Sequence, residues 1–421
     1  MSRWNVGAYM QLLARCVCPH CWAEFAPENA AWVAAHAELL GDVRLGPDQP
    51  LRFLPSRFDI QGRAIDARGF VCHQLACPRC HLVVPRGLLE IPTYFVSILG
   101  TPGCGKSVFL SAMTWELRRQ LPKLCGLTFQ DVDPDANRIL NDYEHQMFFS
   151  KATGRPVPMH DLIRKTEKAG DQYDFVSDGD QIIQYPRPFL FSLRKEANSP
   201  KNGSPADRIL CLYDNAGEHF LAGQDSVSTP VTQHLVHSDL LMFLFDPLQH
   251  PRFAKLVNGG ADANGFYNRQ ELVLVEAASR IRKLKNLSQN QAIDKPLIVI
   301  LTKSDVWNTV LKSVPIDLWE TAKGDAKKFL QIVEEISGQL RKILVSTCPE
   351  VVGAAESLAK TVVYVPISAL GMTPTVDPQT SKPSIDPAKI ASRWVTVPLA
   401  YALVRYPWNA SKFYPDAKVL K

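Results

Sequence analysis

Residues 99–110, LGTPGCGKSVFL, constrain this chain more than any other stretch. Gly100 is followed, after four residues, by Gly105-Lys106-Ser107, the spacing of a loop that wraps phosphate in backbone N–H groups. Such a loop works only between a buried strand and the start of a helix. Residues 94–99, YFVSIL, are a short apolar run that reads as the strand. Downstream, Phe109, Met113, Leu117 and Leu121 recur every fourth residue, which predicts an amphipathic helix that stops at Pro122. Within that frame Gly100, Gly103, Cys104, Gly105 and Val108 bring backbone to the phosphates. Lys106 reaches the β and γ oxygens, and Ser107 offers its hydroxyl to Mg²⁺. Cys104 has two readings: a thiol acidified near a helix N-terminus, or a small filler whose N–H is what matters. The competing reading of the whole stretch is a glycine-rich turn with no ligand, and the flanking strand and helix weigh against it.

At 421 residues the chain has room for two to three domains of ordinary size. Lys plus Arg number 47 against 42 Asp plus Glu, with no basic block, so nucleic-acid binding is permitted but not indicated. No apolar run is long enough to span a bilayer, and MSRWNVGAYMQLLARC lacks a signal-peptide core and cleavage site. A cytoplasmic location is expected. Of the 10 cysteines, Cys16, Cys18, Cys21, Cys72, Cys77 and Cys80 fall before residue 81, and in a reducing compartment such clustering favours metal over disulfides.

The organisation follows that asymmetry. Residues 1–90 are rich in Cys and Trp with irregular patterning, 91–405 alternate apolar strands with helical stretches, and 406–421 form a tail. Alternation of this kind predicts an α/β domain on a mainly parallel sheet, with further strands at 189–193, 209–213, 240–245, 297–301 and 362–367. Insertions are expected near 123–187, 250–290 and 307–350. Residues 198–205 read as a loop joining two strands, and 372–387 as a Pro/Ser/Thr-rich surface connection.

In open α/β sheets the ligand sits at the carboxyl ends of the strands. After 209–213 comes Asp214-Asn215-Ala216-Gly217-Glu218, where Asp214 can hold Mg²⁺ through water and the Gly217 N–H can approach a γ-phosphate. After 297–301 comes Thr302-Lys303-Ser304-Asp305, where a carboxylate can accept two hydrogen bonds from the N1 and N2 edge of guanine. The bland alternative for Asp305 is a helix N-cap. After 362–367 comes Ser368-Ala369-Leu370, suited to a backbone contact with the base's O6.

These four segments, in order and each at a strand end, resemble the G1, G3, G4 and G5 motifs of the Ras-like, translation-factor class of P-loop GTPases over residues 91 to about 405. The resemblance implies a three-layer P-loop NTPase G domain with GTP or GDP and Mg²⁺ as ligands. Lys106 and Ser107 would bind phosphate and metal, Asp214 would support Mg²⁺, Gly217 would sense the γ-phosphate, and Asp305 with Lys303 would select guanine. Three residues depart from the pattern. Thr302 stands where Asn is usual, which loosens the brace on the phosphate loop. Glu218 stands where many small GTPases carry Gln, so intrinsic hydrolysis is expected to be slow. Pro102 stands where Gly is common and crowds an incoming arginine finger. Thr166 and Ser177 are the candidates for the switch I residue that caps Mg²⁺, whereas His145 and His160 read as surface residues.

Cys18 with Cys21, and Cys77 with Cys80, are Cys-Pro-x-Cys knuckles whose spacing lets four thiolates share a tetrahedral Zn²⁺. The pair resembles a zinc ribbon, with a helical piece at 30–40 and a hairpin at 58–71 inserted between the knuckles. A redox dithiol and unliganded core cysteines are the alternatives, and Cys16, Cys72, His20, His73 and His81 are reserve ligands. Such a site would stabilise folding and present a recognition surface. Cys125, Cys211 and Cys348 read as core. A zinc ribbon joined to a G domain with large insertions is similar in layout to prokaryotic regulatory or defence-system GTPases. The expected function is a GTP-hydrolysing switch that contacts a protein effector or activator, or a paired G domain. A GTP-binding scaffold without turnover and an ATP-dependent P-loop protein are the rivals.

Overall fold

The computed structural model describes residues 12–149, 154, 156–163, 173–195, 207–214, 232–259, 268–311, 314–376 and 382–406. Seven strands form the central sheet: β1 (Thr93–Gly100), β2 (Leu127–Asp131), β3 (Phe189–Lys195), β4 (Arg208–Asp214), β5 (Leu240–Phe245), β6 (Ile293–Leu301) and β7 (Ala359–Pro366), in the order β2-β3-β4-β1-β5-β6-β7. From β4 to β7 every pairing is parallel, while β3 runs antiparallel to both of its neighbours. Every residue of β5 is buried, as a parallel strand covered on both faces requires. The edge strand β2 lies in a stretch that reads from sequence as insertion. Its few apolar residues gave it no strand signature; pairing with β3 makes it one.

Helix α1 (Lys106–Cys125) buries Phe109, Met113, Leu117 and Leu121 against the sheet, as their spacing predicts. It does not stop at Pro122, which sits inside its last stretch. The stop is Gly126, left-handed at φ 59, whose N–H closes on the Leu121 carbonyl. Helix α2 (Arg138–Phe148) is held to α1 by Arg118, which reaches Asp131 at 3.1 Å and Glu144 at 3.3 Å beneath the Phe129 and Phe191 rings. Helices α3 (Glu271–Lys285) and α4 (Ala326–Thr347) lie within the stretches 250–290 and 307–350, and α5 (Pro349–Leu358) follows just beyond the second; α3 serves the crossover from β5 to β6, and α4 and α5 that from β6 to β7. Helix α6 (Val397–Arg405) packs on α4 and β6.

Residues 30–40 are not helical. Ala31–Val33 is a strand paired with Arg52–Phe53 and Leu75–Ala76, so cross-strand pairing outweighs the helix propensity of its alanines. The segment 58–71 is two successive turns with isolated bridges Phe58 to Ala64 and Ile65 to Val71. Asp59 and Asp66 close them by accepting backbone N–H groups at 2.8 to 3.0 Å. Residues 372–387 include Thr375–Val376 and Pro383–Ile385, which pair with each other, and the second also pairs with Val157–Pro158. The loop 198–205 lies outside the described residues.

The cysteine-rich segment shares a core with the sheet. Along β4, Leu210 and Leu212 join the main helix-covered core, while Ile209, Cys211 and Tyr213 pack with Cys18, Cys21, Trp22, Cys77 and Cys80. The module thus covers one face of the sheet where a helix would otherwise be needed. A hairpin of Tyr173–Asp178 and Gln181–Pro186 joins it, and Asp174 contacts His20 at 3.5 Å and Arg187 at 2.6 Å. Burial alone would raise the Asp174 pKa, but the His20 and Arg187 hydrogen bonds and charges outweigh it and hold it down at about 2. A depressed carboxyl stabilises the fold above its unfolded value and loses that contribution as pH falls through its folded one. Asp174→Asn is therefore expected to cost about 2 kcal/mol at neutral pH, and the gap from wild type should close between about pH 4 and pH 2 in urea melts.

Candidate nucleotide site and cysteine centre

The parallel register brings the carboxyl ends of β1, β4, β5, β6 and β7 to one edge of the sheet. Asp214 is level with Ile98, Gly100 with Leu244, and Phe245 with Leu301 and then Pro366. Adjacent strands lie about 4.8 Å apart, so the loop after β1 and the segment after β6 are separated by about 10 Å. A nucleotide can bridge that span from phosphate to base.

The loop turns through Gly103 (φ 79) and Gly105 (φ 98), left-handed conformations that favour glycine, and α1 begins directly after. Gly100 is required for a different reason: a Cβ there would lie 2.6 Å from the Cys104 sulfur and 3.0 Å from the Leu244 carbonyl oxygen. Gly100→Ala is expected to cost about 1 to 3 kcal/mol and to distort the loop, read as a lowered urea midpoint together with weakened nucleotide binding. The Cys104 thiol is fully buried and its pKa is raised, burial outweighing the pull of Lys106. It is a filler, and the acidified-thiol reading is set aside. Lys106 arches over the loop and donates to the Gly100 and Thr101 carbonyls at 2.8 and 3.1 Å.

Asp214 ends β4 on the same face as Leu210 and Leu212, turned toward α1. Its carboxyl is pushed up to about 6 by burial, with Lys106 and then the Ser107 hydroxyl pulling the other way. Its Oδ1 is buried with no hydrogen-bond partner among the described residues, and so is the Thr101 hydroxyl within the loop. A buried carboxylate oxygen without a donor, beside a Ser hydroxyl and a Lys ammonium, suits a hydrated divalent cation. Gly217, Glu218 and Thr166 lie outside the described residues. Ser177 lies in the hairpin against the cysteine module, where its N–H donates to the Arg44 carbonyl.

After β6, Lys303 is left-handed (φ 57) and Asp305 falls in the first turn of Ser304–Trp307. The residue in the N-cap position is Lys303 and no side chain caps this turn, so the N-cap reading of Asp305 does not hold. The Ser368 hydroxyl donates to Asp305 and accepts the Gly371 N–H at 2.8 Å. The Ala369 and Leu370 carbonyls accept from Ser392 and Ala391. The segments after β6 and β7 are thus joined into one unit. Thr302 directs its hydroxyl to the Phe245 carbonyl at 3.4 Å, while its own carbonyl accepts the Trp307 indole N–H at 2.7 Å. Asp246 escaped the sequence reading. It is wholly buried after β5 and anchors Lys303 while accepting from Leu248 N–H and Gln249. Its sequence signal is the acid in Phe245-Asp246-Pro247, a strand end followed by a helix-initiating proline.

Cys18, Cys21, Cys77 and Cys80 are buried, with all four sulfurs within 4.8 Å of one another. Cys18 and Cys80 are 3.7 Å apart, and Cys21 and Cys77 are 3.6 Å apart. A disulfide needs about 2 Å, whereas sulfurs bound at about 2.3 Å to one tetrahedral ion stand about 3.8 Å apart. The two knuckles repeat each other. His20 and Arg79 donate N–H to the Cys18 and Cys77 sulfurs at 3.4 and 3.3 Å. Trp22 and His81 follow left-handed, at φ 56 and 63, and return N–H groups to the Cys18 and Cys77 carbonyls. The Cys77 thiol is drawn far below its usual pKa by hydrogen bonds with Cys18, then Cys21 and Cys80, and burial pushes Cys18 up. None of the reserve residues belongs to the cluster: His81 is paired to Asp42 at 2.8 Å and His20 to the Val83 carbonyl at 3.1 Å.

No helix among the described residues is long and apolar enough to cross a membrane. No protein-family model matches the sequence, and no curated protein matches it. Among solved structures, the S. cerevisiae Ski7 GTPase-like domain bound to GDP and inorganic phosphate overlaps 75% of this chain and 50% of its own, at 13% identity and TM-score 0.27. Its GTP-bound form overlaps 76% and 51%, at 14% and 0.27. The SRb-GTP/SRX complex of the signal recognition particle receptor from Chaetomium thermophilum overlaps 69% and 94%, at 16% and 0.24. This chain therefore spans about half the length of the Ski7 chains. These overlaps assign no role to any residue, and the site rests on the geometry above.

Proposed function

We propose that the chain binds guanine nucleotide with Mg²⁺ at the carboxyl edge of the sheet and hydrolyses GTP to GDP and phosphate, switching its contacts with a protein partner. The observation that carries this reading is the placement on one edge of three complementary groups. They are the glycine loop with Lys106, the buried carboxylate of Asp214, whose Oδ1 has no donor among the described residues, and the Asp305–Ser368 pair.

In this reading the loop N–H groups and Lys106 hold the β and γ phosphates. Ser107 and Asp214 would hold the cation, which would offset phosphate charge when bound. Asp305 accepts the guanine N1 and N2 hydrogens, with Lys303 held in place by Asp246. Water attacks the γ-phosphate in line, and Lys106 stabilises the charge that builds on the oxygens. Gly217 and Glu218 would complete the γ-phosphate end. The four cysteines would hold structural Zn²⁺.

Single-turnover assays with GTP and ATP, each with Mg²⁺, test the reading. GTP cleavage with ATP left intact is the expected outcome. Tight GTP binding without cleavage would place the protein among nucleotide-binding scaffolds, and equal cleavage of ATP would remove Asp305 from the base.

A further inference from the structure

The cysteine centre packs on the face of β4 opposite Asp214 and reaches the residue next to it through a short chain of contacts. Pro19 and Trp22 belong to the first knuckle, and the Trp22 N–H closes on the Cys18 carbonyl at 3.0 Å. The Trp22 indole donates to the Tyr213 hydroxyl at 3.0 Å, and that hydroxyl donates to the Pro19 carbonyl. Both hydrogen-bonding directions of the phenol are thereby committed to the knuckle. The Tyr213 ring stacks on His234, centroids 5.1 Å apart, and His234 bonds the Ser97 hydroxyl of β1. Tyr213 and Ser97 are direct partners in the sheet, one residue below the level of Asp214. Trp22 also stacks flat on His237, at 5.5 Å and 5°.

We propose that the four-cysteine knuckle is a positioning element for Asp214. Metal bound by the cysteines fixes Pro19 and Trp22, these hold Tyr213 from both sides, and Tyr213 sets the backbone from which its neighbour Asp214 meets Mg²⁺. Occupancy of the cysteines and of the Mg²⁺–nucleotide site are then linked, and linkage is reciprocal: each ligand strengthens the other by the same factor. Strand alternation makes the arrangement work, because Tyr213 faces the knuckle and Asp214 faces the phosphate loop. The proposal rests on the nucleotide reading given above.

The test uses the full chain carrying Zn²⁺, with a chromophoric chelator competing for the metal, in the presence of GTP with Mg²⁺, GTP without added Mg²⁺, or neither. In wild type, Mg²⁺ with GTP is expected to tighten Zn²⁺ retention about fivefold or more, and GTP without Mg²⁺ much less. Tyr213→Phe keeps the ring and loses the hydroxyl. It should retain one Zn²⁺ per chain, lose the nucleotide effect on retention, and need more Mg²⁺ for GTP binding while its Mg²⁺-free GTP affinity stays unchanged. A purely structural lesion would weaken both affinities alike. Should Tyr213→Phe lose its Zn²⁺, Trp22→Phe removes the other side of the same bond and decides the question by the same readouts. Binding of a fluorescent GTP analogue to wild type with no change in Zn²⁺ retention overturns the proposal alone. Failure of the analogue to bind wild type overturns the nucleotide reading and the proposal with it.

Discussion

Lys106→Ala is expected to lower GTP affinity by about 10² to 10³-fold while leaving the fold intact. Lys106 is the one charged side chain of residues 100–107. Its ammonium makes two hydrogen bonds across the loop, at 2.8 and 3.1 Å, and in the proposed complex it would exchange these for bonds to phosphate oxygens. A hydrogen bond to a charged group is worth about 1.5 to 3 kcal/mol, and two of them account for a loss of this size. The side chain is only partly buried, so the urea midpoint should move little. Titration with a fluorescent GTP analogue, run beside urea melts, reads both quantities. Affinity within threefold of wild type would remove Lys106 from the phosphates.

Asp305→Asn is expected to exchange guanine for xanthine. In the proposed complex a carboxylate would accept from both N1–H and the N2 amino group of guanine, whereas an amide turns one acceptor into a donor that confronts the N2 amino group. A site left with a mispaired donor should lose GTP by about 10²-fold or more. Xanthosine triphosphate, with a carbonyl at that position, should bind Asp305→Asn nearly as tightly as GTP binds wild type. The retained Asn oxygen can still accept the Ser368 hydroxyl that now bonds Asp305, so the segments after β6 and β7 should stay joined. Competition of GTP and xanthosine triphosphate for the labelled site reads the exchange. An unchanged preference would mean that another residue faces the base.

How far the sequence could be read depended on whether a residue's role was local. The buried strands β1, β4, β5 and β6 and the start of α1 were legible because continuous apolar runs and a fourth-residue repeat reflect burial directly. The glycine loop before α1 was legible as a turn because its conformation demands glycine at 103 and 105. The edge strand β2 was not, since LTFQD pairs on one side only and carries little apolar signal. The strand at Ala31–Val33 was hidden among alanines, and only its partners at 52–53 and 75–76 decide it. Within the site, the spacing of Asp214, Asp305 and Ser368 was visible, whereas Asp246 required the fold to bring it under Lys303. The least legible feature was the orientation of the cysteine module. A knuckle spacing says which residues can share a metal but not which face of a sheet they cover, and here that face includes Tyr213.

We propose that this edge of the sheet holds guanine nucleotide with Mg²⁺. Calorimetric titration of the full chain with non-hydrolysable GTP and ATP analogues, with and without Mg²⁺, tests it most directly because neither turnover nor a partner is required. One GTP analogue is expected per chain, tighter with Mg²⁺, with ATP binding weaker by about 10²-fold or more. Equal affinity for the two analogues, or no heat from either in a folded, metal-loaded protein, would contradict it.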